Sequence, residues 1–262
     1  MRLLGCPGRC NVRALALVCR KGGVGKSAIA TNLAAALSSR DHRVMLCDLD
    51  PQAASTVGLG VDYTAASPTL DEVFQGEASL ADALVVTRHG VDVAPACPGM
   101  ARTENALLQE PGRERILLKA LVPLVDQYDW VIIDTPPSLA TFTLNALVAA
   151  DFLAIPAIPE FPSVEAVAHT LETIQLVVER ELNPELRTLG VIANKHDTRT
   201  KTTAEVLRRI EALGVAVFET TIRKAVAVTN AYAFGEPVLS FDPKHPVADE
   251  FRSLTEEVLS HA

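Results

Sequence analysis

The chain has 262 residues, 48% of them hydrophobic but only 5% aromatic, with a net charge of −8. That size can bury a sizeable core, and apolar content so poor in rings suits parallel strands of Val, Ile, Leu and Ala under helices. Short, interrupted apolar runs exclude a transmembrane helix, the segment MRLLGCPGRCNVR argues against a signal peptide, and overall acidity argues against a generic nucleic-acid coat.

Residues 1–12 show no periodic pattern and are expected to form a flexible arm before a domain spanning 13–262. A strand over 13–19 runs into Arg20–Lys21–Gly22–Gly23–Val24–Gly25–Lys26–Ser27–Ala28, and a helix over 27–39 follows. Strand, glycine-rich loop and helix together form the context of a phosphate-binding loop: backbone N–H groups close around phosphate oxygens and the helix turns its positive end to the same anion. Lys26 adds a mobile charge, and the Ser27 hydroxyl is placed to reach a nucleotide-bound Mg²⁺. The usual pattern G-x-x-x-x-G-K-[ST] fails at its first glycine, where Arg20 stands, and Lys21 is an additional lysine.

Further strands are expected at 43–47, 91–95, 129–134, 152–157, 188–193 and 215–219, and further helices at 113–126, 142–149, 163–182, 201–213 and 246–260. This alternation predicts one α/β domain, a mainly parallel twisted sheet with helices on both faces, whose ligands bind at the carboxyl ends of strands. Two acidic segments stand at such ends. In DLDPQ, Asp48 and Asp50 leave a strand in alternate positions, so only one faces a given side. Asp50 is the candidate for orienting water and for the metal site, with Asp48 supporting the metal shell. In YDWVIIDTPPS, Asp134 ends an apolar run where a carboxylate holds Mg²⁺, usually through water. Alone, either acid would read as a turn cap; beside a lysine loop they read as one site.

The three segments in this order, KGGVGKS, DLDPQ and YDWVIIDTPPSLATFTLNAL, resemble the ParA/MinD family of deviant Walker-A ATPases, nearest to the Soj-type chromosomal partition branch. The resemblance runs from residue 13 to 260 and takes in IPEFPSVEAV, DTRT and FGEPVLSFDP. It implies an ATP-dependent sandwich homodimer in which Lys21 reaches the partner's phosphates. Lys26 and the loop from Gly22 to Ala28 would hold phosphates within the subunit. Ser27, Asp50 and Asp134 would serve Mg²⁺, and Asp50 the attacking water. Asn194 matches a base-contacting position, and a core amide or cap reads equally well there. It also implies DNA partition with a ParB-type partner, in the cytoplasm on the nucleoid.

The departures are Cys19-Arg20 where members carry Asn-Gln, Ala28 where they carry a hydroxyl that touches the α-phosphate, and Thr229 near a usual acid. Residues 195–224 carry seven bases against four acids, and Arg199, Lys201, Arg208, Arg209, Arg223 and Lys224 are the DNA-binding candidates, with a solvated helical face as the plain alternative. The terminal helix 246–260 has four acids and one arginine, which disfavours membrane docking of the MinD kind. Positioning ATPase activity without DNA binding is the alternative function. A dinucleotide oxidoreductase, which Gly23-x-Gly25-x-x-Ala28 followed by Asp48 formally permits, leaves both lysines and DTPPS unexplained. The five cysteines read as free thiols; Cys6-x₃-Cys10 alone is not a metal motif.

Overall fold

The structure, a computed structural model, describes residues 12–196 and 201–262, with backbone only at His196 and Lys201. The expected arm, with Arg2, Arg9, Cys6 and Cys10, falls outside these residues apart from Val12, as does Arg199. Cys19, Cys47 and Cys97 are free thiols.

The amino-terminal half runs β1 (Arg13–Leu17), α1 (Lys26–Ser38), β2 (Val44–Asp48), α2 (Ala54–Gly58), α3 (Leu70–Gln75) and α4 (Leu80–Ala83). It continues through β3 (Val85–Val86), β4 (Val91–Ala94), α5 (Met100–Ala106), α6 (Ile116–Leu121) and β5 (Trp130–Asp134). The remainder is α7 (Thr141–Ala149), β6 (Phe152–Ala157), α8 (Phe161–Glu179), β7 (Arg187–His196) and α9 (Lys201–Glu211). Then come β8 (Ile222–Arg223), α10 (Val226–Ala233), α11 (Val238–Phe241) and α12 (Pro246–His261).

The strands form one sheet in the order β3-β4-β2-β5-β1-β6-β7-β8, parallel except for β3. Side-chain alternation sends each strand's residues to two cores. Ala14 and Ala16 of β1, Met45 and Cys47 of β2, and Val131 and Ile133 of β5 join the core that includes Phe142 of α7 and Val167 of α8. Leu15, Leu17, Val44, Leu46, Trp130 and Ile132 face the other way, onto Ile29, Leu33 and Leu37 of α1 and Phe251, Leu254 and Val258 of α12. Helices on both faces of a mostly parallel sheet are what the alternating pattern required.

Two expected elements differ. At 215–219 only one parallel bridge forms, Val217 to Val191. The next amides, of Glu219 and Thr220, donate to the Glu257 carboxylate of α12 at 2.7 and 2.9 Å rather than to β7, and the edge resumes at β8. The helix expected over 113–126 breaks into a 3-10 turn, α6 and a second 3-10 turn over Val122–Leu124. Pro123 lacks an N–H for continuation, and Asn145 of α7 takes the Leu117 amide and donates to the Arg113 carbonyl.

For the site, the strand order matters most. β1 lies between β5 and β6, and β2 on the far side of β5, so the carboxyl ends of β2, β5 and β1 are neighbours. The register sets Asp48 directly opposite Asp134, and the Leu49 amide extends the ladder by donating to the Asp134 carbonyl at 2.9 Å.

Candidate nucleotide site

β1 ends at Leu17, and the chain turns through residues 18–25 into α1, whose cap is Gly25. Gly23 and Gly25 have φ of 73° and 93°, the left-handed region that successive inward-facing amides of an anion nest use. Between them Val24 points into the core. The loop is therefore held by an apolar anchor flanked by two glycines. A Cβ on Gly25 would lie 2.1 Å from Asn194 Nδ2, so the position excludes a side chain on two grounds. Gly25→Ala is expected to combine left-handed strain of about 1–2 kcal/mol with displacement of Asn194. A lowered thermal midpoint together with weakened ATP binding in calorimetry would check it.

Lys26 opens α1 and is nearly buried, with its ammonium donating to the Cys19 carbonyl at 3.3 Å. Burial raises the Cys19 thiol pKa, so that sulfur stays protonated and neutral beside two lysines. Ser27 is half-buried at the helix start. Ala28 brings only a methyl; its carbonyl receives the Thr31 hydroxyl and the Asn32 amide.

The carboxylates stand at the adjacent strand ends. Asp48 and Asp134 are both fully buried. Asp48 accepts from the Thr56 amide and hydroxyl, each at 2.8 Å, and from the Asp50 amide at 3.1 Å, which ties the strand end to α2. Burial raises its pKa, and the neighbouring Asp134 raises it further. Asp134 Oδ2 accepts from the Ser55 hydroxyl at 2.6 Å, while Oδ1 has no partner. Burial also raises the Asp134 pKa. The Ser27 and Ser55 hydroxyls and the Lys26 ammonium draw it down, and Asp50 pushes it up. Asp50 lies half-buried in the turn, its Oδ1 accepting from the Gln52 amide at 3.0 Å.

A buried carboxylate oxygen with no donor, beside a second acid and a serine hydroxyl, is short of positive charge. Mg²⁺ suits that deficit: it prefers hard oxygen donors and takes one or two carboxylates plus phosphates rather than a protein cage. Among the described residues no group of three or more His, Cys, Asp or Glu gathers into such a cage. The residues present fit a magnesium nucleotide.

Lys21 is placed differently from Lys26. Its ammonium donates to Glu160 Oε2 at 3.3 Å and to the Ser163 hydroxyl at 3.4 Å, at the start of α8. Asn194 is buried at the end of β7 and donates to the Val24 carbonyl at 2.7 Å. Sequence reasoning overlooked Lys195, which donates to the Gly23 carbonyl at 2.7 Å; it also left Ser55, Thr56 and Glu160 without roles. Ser55 and Thr56 lie three and four residues beyond Gln52 of DLDPQ, so their proximity to Asp48 was available as a signal. The Glu160 and Lys195 contacts are long-range and carry none.

The basic candidates among the described residues divide between α9, whose Val206 and Ile210 join the core of α7 and α8, and β8, which pairs with α12 on the other side. Arg208 and Arg209 of α9 both pair with Glu205 at 2.9 Å, Arg209 also lies over the Phe161 ring, and Arg223 pairs with Glu250 of α12. Lys224 follows β8 at the surface. Arg199 and the Lys201 side chain lie outside the described residues.

A family model described as an AAA domain matches residues 12–188. The chain is 38% identical over 253 residues to the chromosome partitioning protein ParA of Caulobacter vibrioides, across 95% of this chain and 94% of that protein. It is 33% identical over 251 residues to the sporulation initiation inhibitor protein Soj of Bacillus subtilis, across 95% of this chain and 99% of that one. Among solved structures, cobyrinic acid a,c-diamide synthase from Mycobacterium smegmatis with bound ADP and magnesium matches with a TM-score of 0.85 at 33% identity, covering 95% of each chain.

Proposed function

Because the chain belongs to the ParA/MinD family of P-loop ATPases, we propose that it is a Mg²⁺-dependent ATPase of DNA partition. In this reading it closes into a homodimer around ATP, binds DNA non-specifically as that dimer, and hydrolyses ATP faster when a ParB-type protein engages it. Its cargo is a chromosome or a plasmid, and its place is the cytoplasm, on the nucleoid. The likeness to a synthase bound to ADP and magnesium supports the nucleotide and metal in this reading. No described helix is long and apolar enough to cross a membrane.

The observation that carries the proposal is the unequal placement of two lysines five residues apart. Lys26 is buried under the loop, whereas Lys21 is held out on Glu160 and Ser163 by contacts to a half-exposed ammonium. A surface pair of this kind is worth at most about 1 kcal/mol, so Lys21 is available to a stronger anion brought by a second subunit. Within one subunit, Lys26 and the loop amides position the phosphates, and Ser27 and Asp134 Oδ1 would hold Mg²⁺. Asp50 orients the attacking water. When bound, Mg²⁺ would supply neutralisation of the phosphate charge that develops in the reaction. Positioning and electrostatics carry the reaction, with no covalent intermediate.

The DNA component draws on Arg208, Arg209, Arg223 and Lys224, with Arg199 and Lys201 preceding them in sequence. Three of these arginines are paired with acids, but exposed pairs exchange readily for DNA phosphates. Gel shifts without nucleotide, with ADP and with a slowly hydrolysed ATP analogue test the whole reading. Retention only with the analogue is expected, together with its loss in the Arg208→Glu/Lys224→Glu variant. Retention that ignores nucleotide overturns the dependence of DNA binding on the ATP dimer, and retention in no state overturns the DNA component and leaves positioning without DNA. Lys21→Ala is expected to bind ATP as a monomer, and light scattering that still showed an ATP-dependent dimer would remove Lys21 from the interface.

A further inference from the structure

The end of β7 carries an arrangement that neither the strand nor the base-contact expectation explains. Successive strand residues normally point to opposite faces, yet Asn194 and Lys195 both reach the same loop. Asn194 Nδ2 donates to the Val24 carbonyl and Lys195 Nζ to the Gly23 carbonyl, each at 2.7 Å. The alternation is broken by Lys195 itself, whose φ is 52°, and the β7–β8 register shifts between Asn194 and His196. A lysine in left-handed conformation is disfavoured by its Cβ, so the contacts it gains hold it there.

The consequence lies in the peptide planes. A trans peptide is planar, and its C=O and N–H point in opposite directions. With the Gly23 and Val24 carbonyls fixed toward β7, the amides of Val24 and Gly25 are turned to the opposite side of the loop. Gly23 and Gly25 alone would leave those planes free to rotate, since each glycine populates several backbone regions. The same packing accounts for the exclusion of a Cβ at Gly25, where Asn194 Nδ2 lies 2.1 Å away.

We propose that Asn194 and Lys195 are positioning residues for polyphosphate: they preset the Val24 and Gly25 amides toward the phosphate chain of the nucleotide. The inference rests on the reading of this loop as an ATP site. It assigns to Lys195 a role that the sequence pattern did not suggest, and gives Asn194 a task separate from reading the base.

The test uses the full chain with Lys195→Met, which keeps the length of an exposed side chain and removes its ammonium, with Lys195→Arg as the rescue and Asn194→Ala as the second arm. Calorimetry should show affinity for ATP and for inorganic tripolyphosphate falling together by about tenfold in Lys195→Met, the equivalent of one charge-assisted hydrogen bond. Lys195→Arg should recover most of it, with the thermal midpoint of the nucleotide-free protein little changed in both. The KM for ATP should rise while kcat holds. In nucleotide-free protein the Val24 and Gly25 amide resonances should shift or broaden, which direct contact of Lys195 with phosphate would not cause. Asn194→Ala should leave the preference for ATP over GTP unchanged. Unaltered amide resonances in Lys195→Met, or a loss of base preference in Asn194→Ala with tripolyphosphate binding intact, overturns the inference. Absence of ATP binding in the unmodified chain overturns the site reading itself, and the inference with it.

Discussion

Lys26→Ala is expected to lower ATP affinity by about 100-fold or more, the scale on which single preorganised electrostatic contacts act in desolvated sites. The magnitude follows from where the ammonium sits. It is nearly buried, and its hydrogen bond to the Cys19 carbonyl at 3.3 Å is a long one. A charge so poorly matched inside the protein gains more from a phosphate than an exposed lysine would. Its removal also takes away a cation that draws the Asp134 carboxyl toward ionisation. The variant should therefore lose magnesium-nucleotide binding twice over, at the phosphate and at the metal shell. Calorimetric titration is the measurement. A second check is thermal: saturating Mg²⁺-ATP at about 100 times Kd stabilises a protein by about 2.7 kcal/mol, a gain the variant should not show, and EDTA should reduce that gain in the unmodified chain. Undiminished affinity would remove Lys26 from the phosphate site.

Asp50→Ala is expected to separate binding from turnover. Loss of a positioned acid–base or water-orienting group costs on the order of 10²–10⁴-fold in rate, while the phosphate loop remains intact. Asp50 is well placed for such a role because its carboxylate is held by the Gln52 amide and its own amide is held by buried Asp48. The side chain is thus fixed at a strand end next to Asp134 without being sealed in the core. Phosphate release should fall by that factor while ATP affinity stays within a few-fold, and ATP-bound dimers should accumulate in light scattering. Asp50→Asn keeps an acceptor for the Gln52 amide and removes the charge, so equal loss in both variants would identify the charge as the active property. Turnover at the unmodified rate would move the water-orienting role elsewhere.

What the sequence disclosed about this site was the part built from contiguous residues. The lysine loop, the acid ending β2 with the one two residues beyond it, and the acid ending β5 could be read because each follows an apolar run, and parallel strands bring their carboxyl ends to one rim. The six inner strands were legible for the same reason, since the buried strands are dense in Val, Ile, Leu and Ala, whereas the two-residue edge strands β3 and β8 were not. The short helices α2 to α5, α10 and α11 were missed, being too brief to show a 3.6-residue period. One did carry a local signal: Thr69 and Glu72 form a capping box at α3, with the Thr69 amide donating to Glu72 Oε2 at 2.8 Å. The strand expected at 215–219 has the composition of a strand, but the Glu257 carboxylate takes its following amides, and a partner nearly forty residues away leaves no mark on local sequence. Lys195 was invisible on similar grounds. Its importance comes from a single left-handed backbone angle that brings two consecutive side chains to one loop.

The lysine contacts have a thermodynamic consequence for the ligand. Lys26 and Lys21 already have oxygen acceptors within their own chain, the Cys19 carbonyl for one and Glu160 with Ser163 for the other. In the proposed ATP dimer, nucleotide binding and subunit closure would be exchange reactions, in which phosphate oxygens replace internal ones and the number of ammonium hydrogen bonds changes little. Such exchanges yield only the difference between old and new partners. The first replaces a neutral carbonyl and releases no counter-charge. In the proposed closure the second would free an anionic Glu160, breaking an ion pair that ATP binding to the single subunit leaves intact.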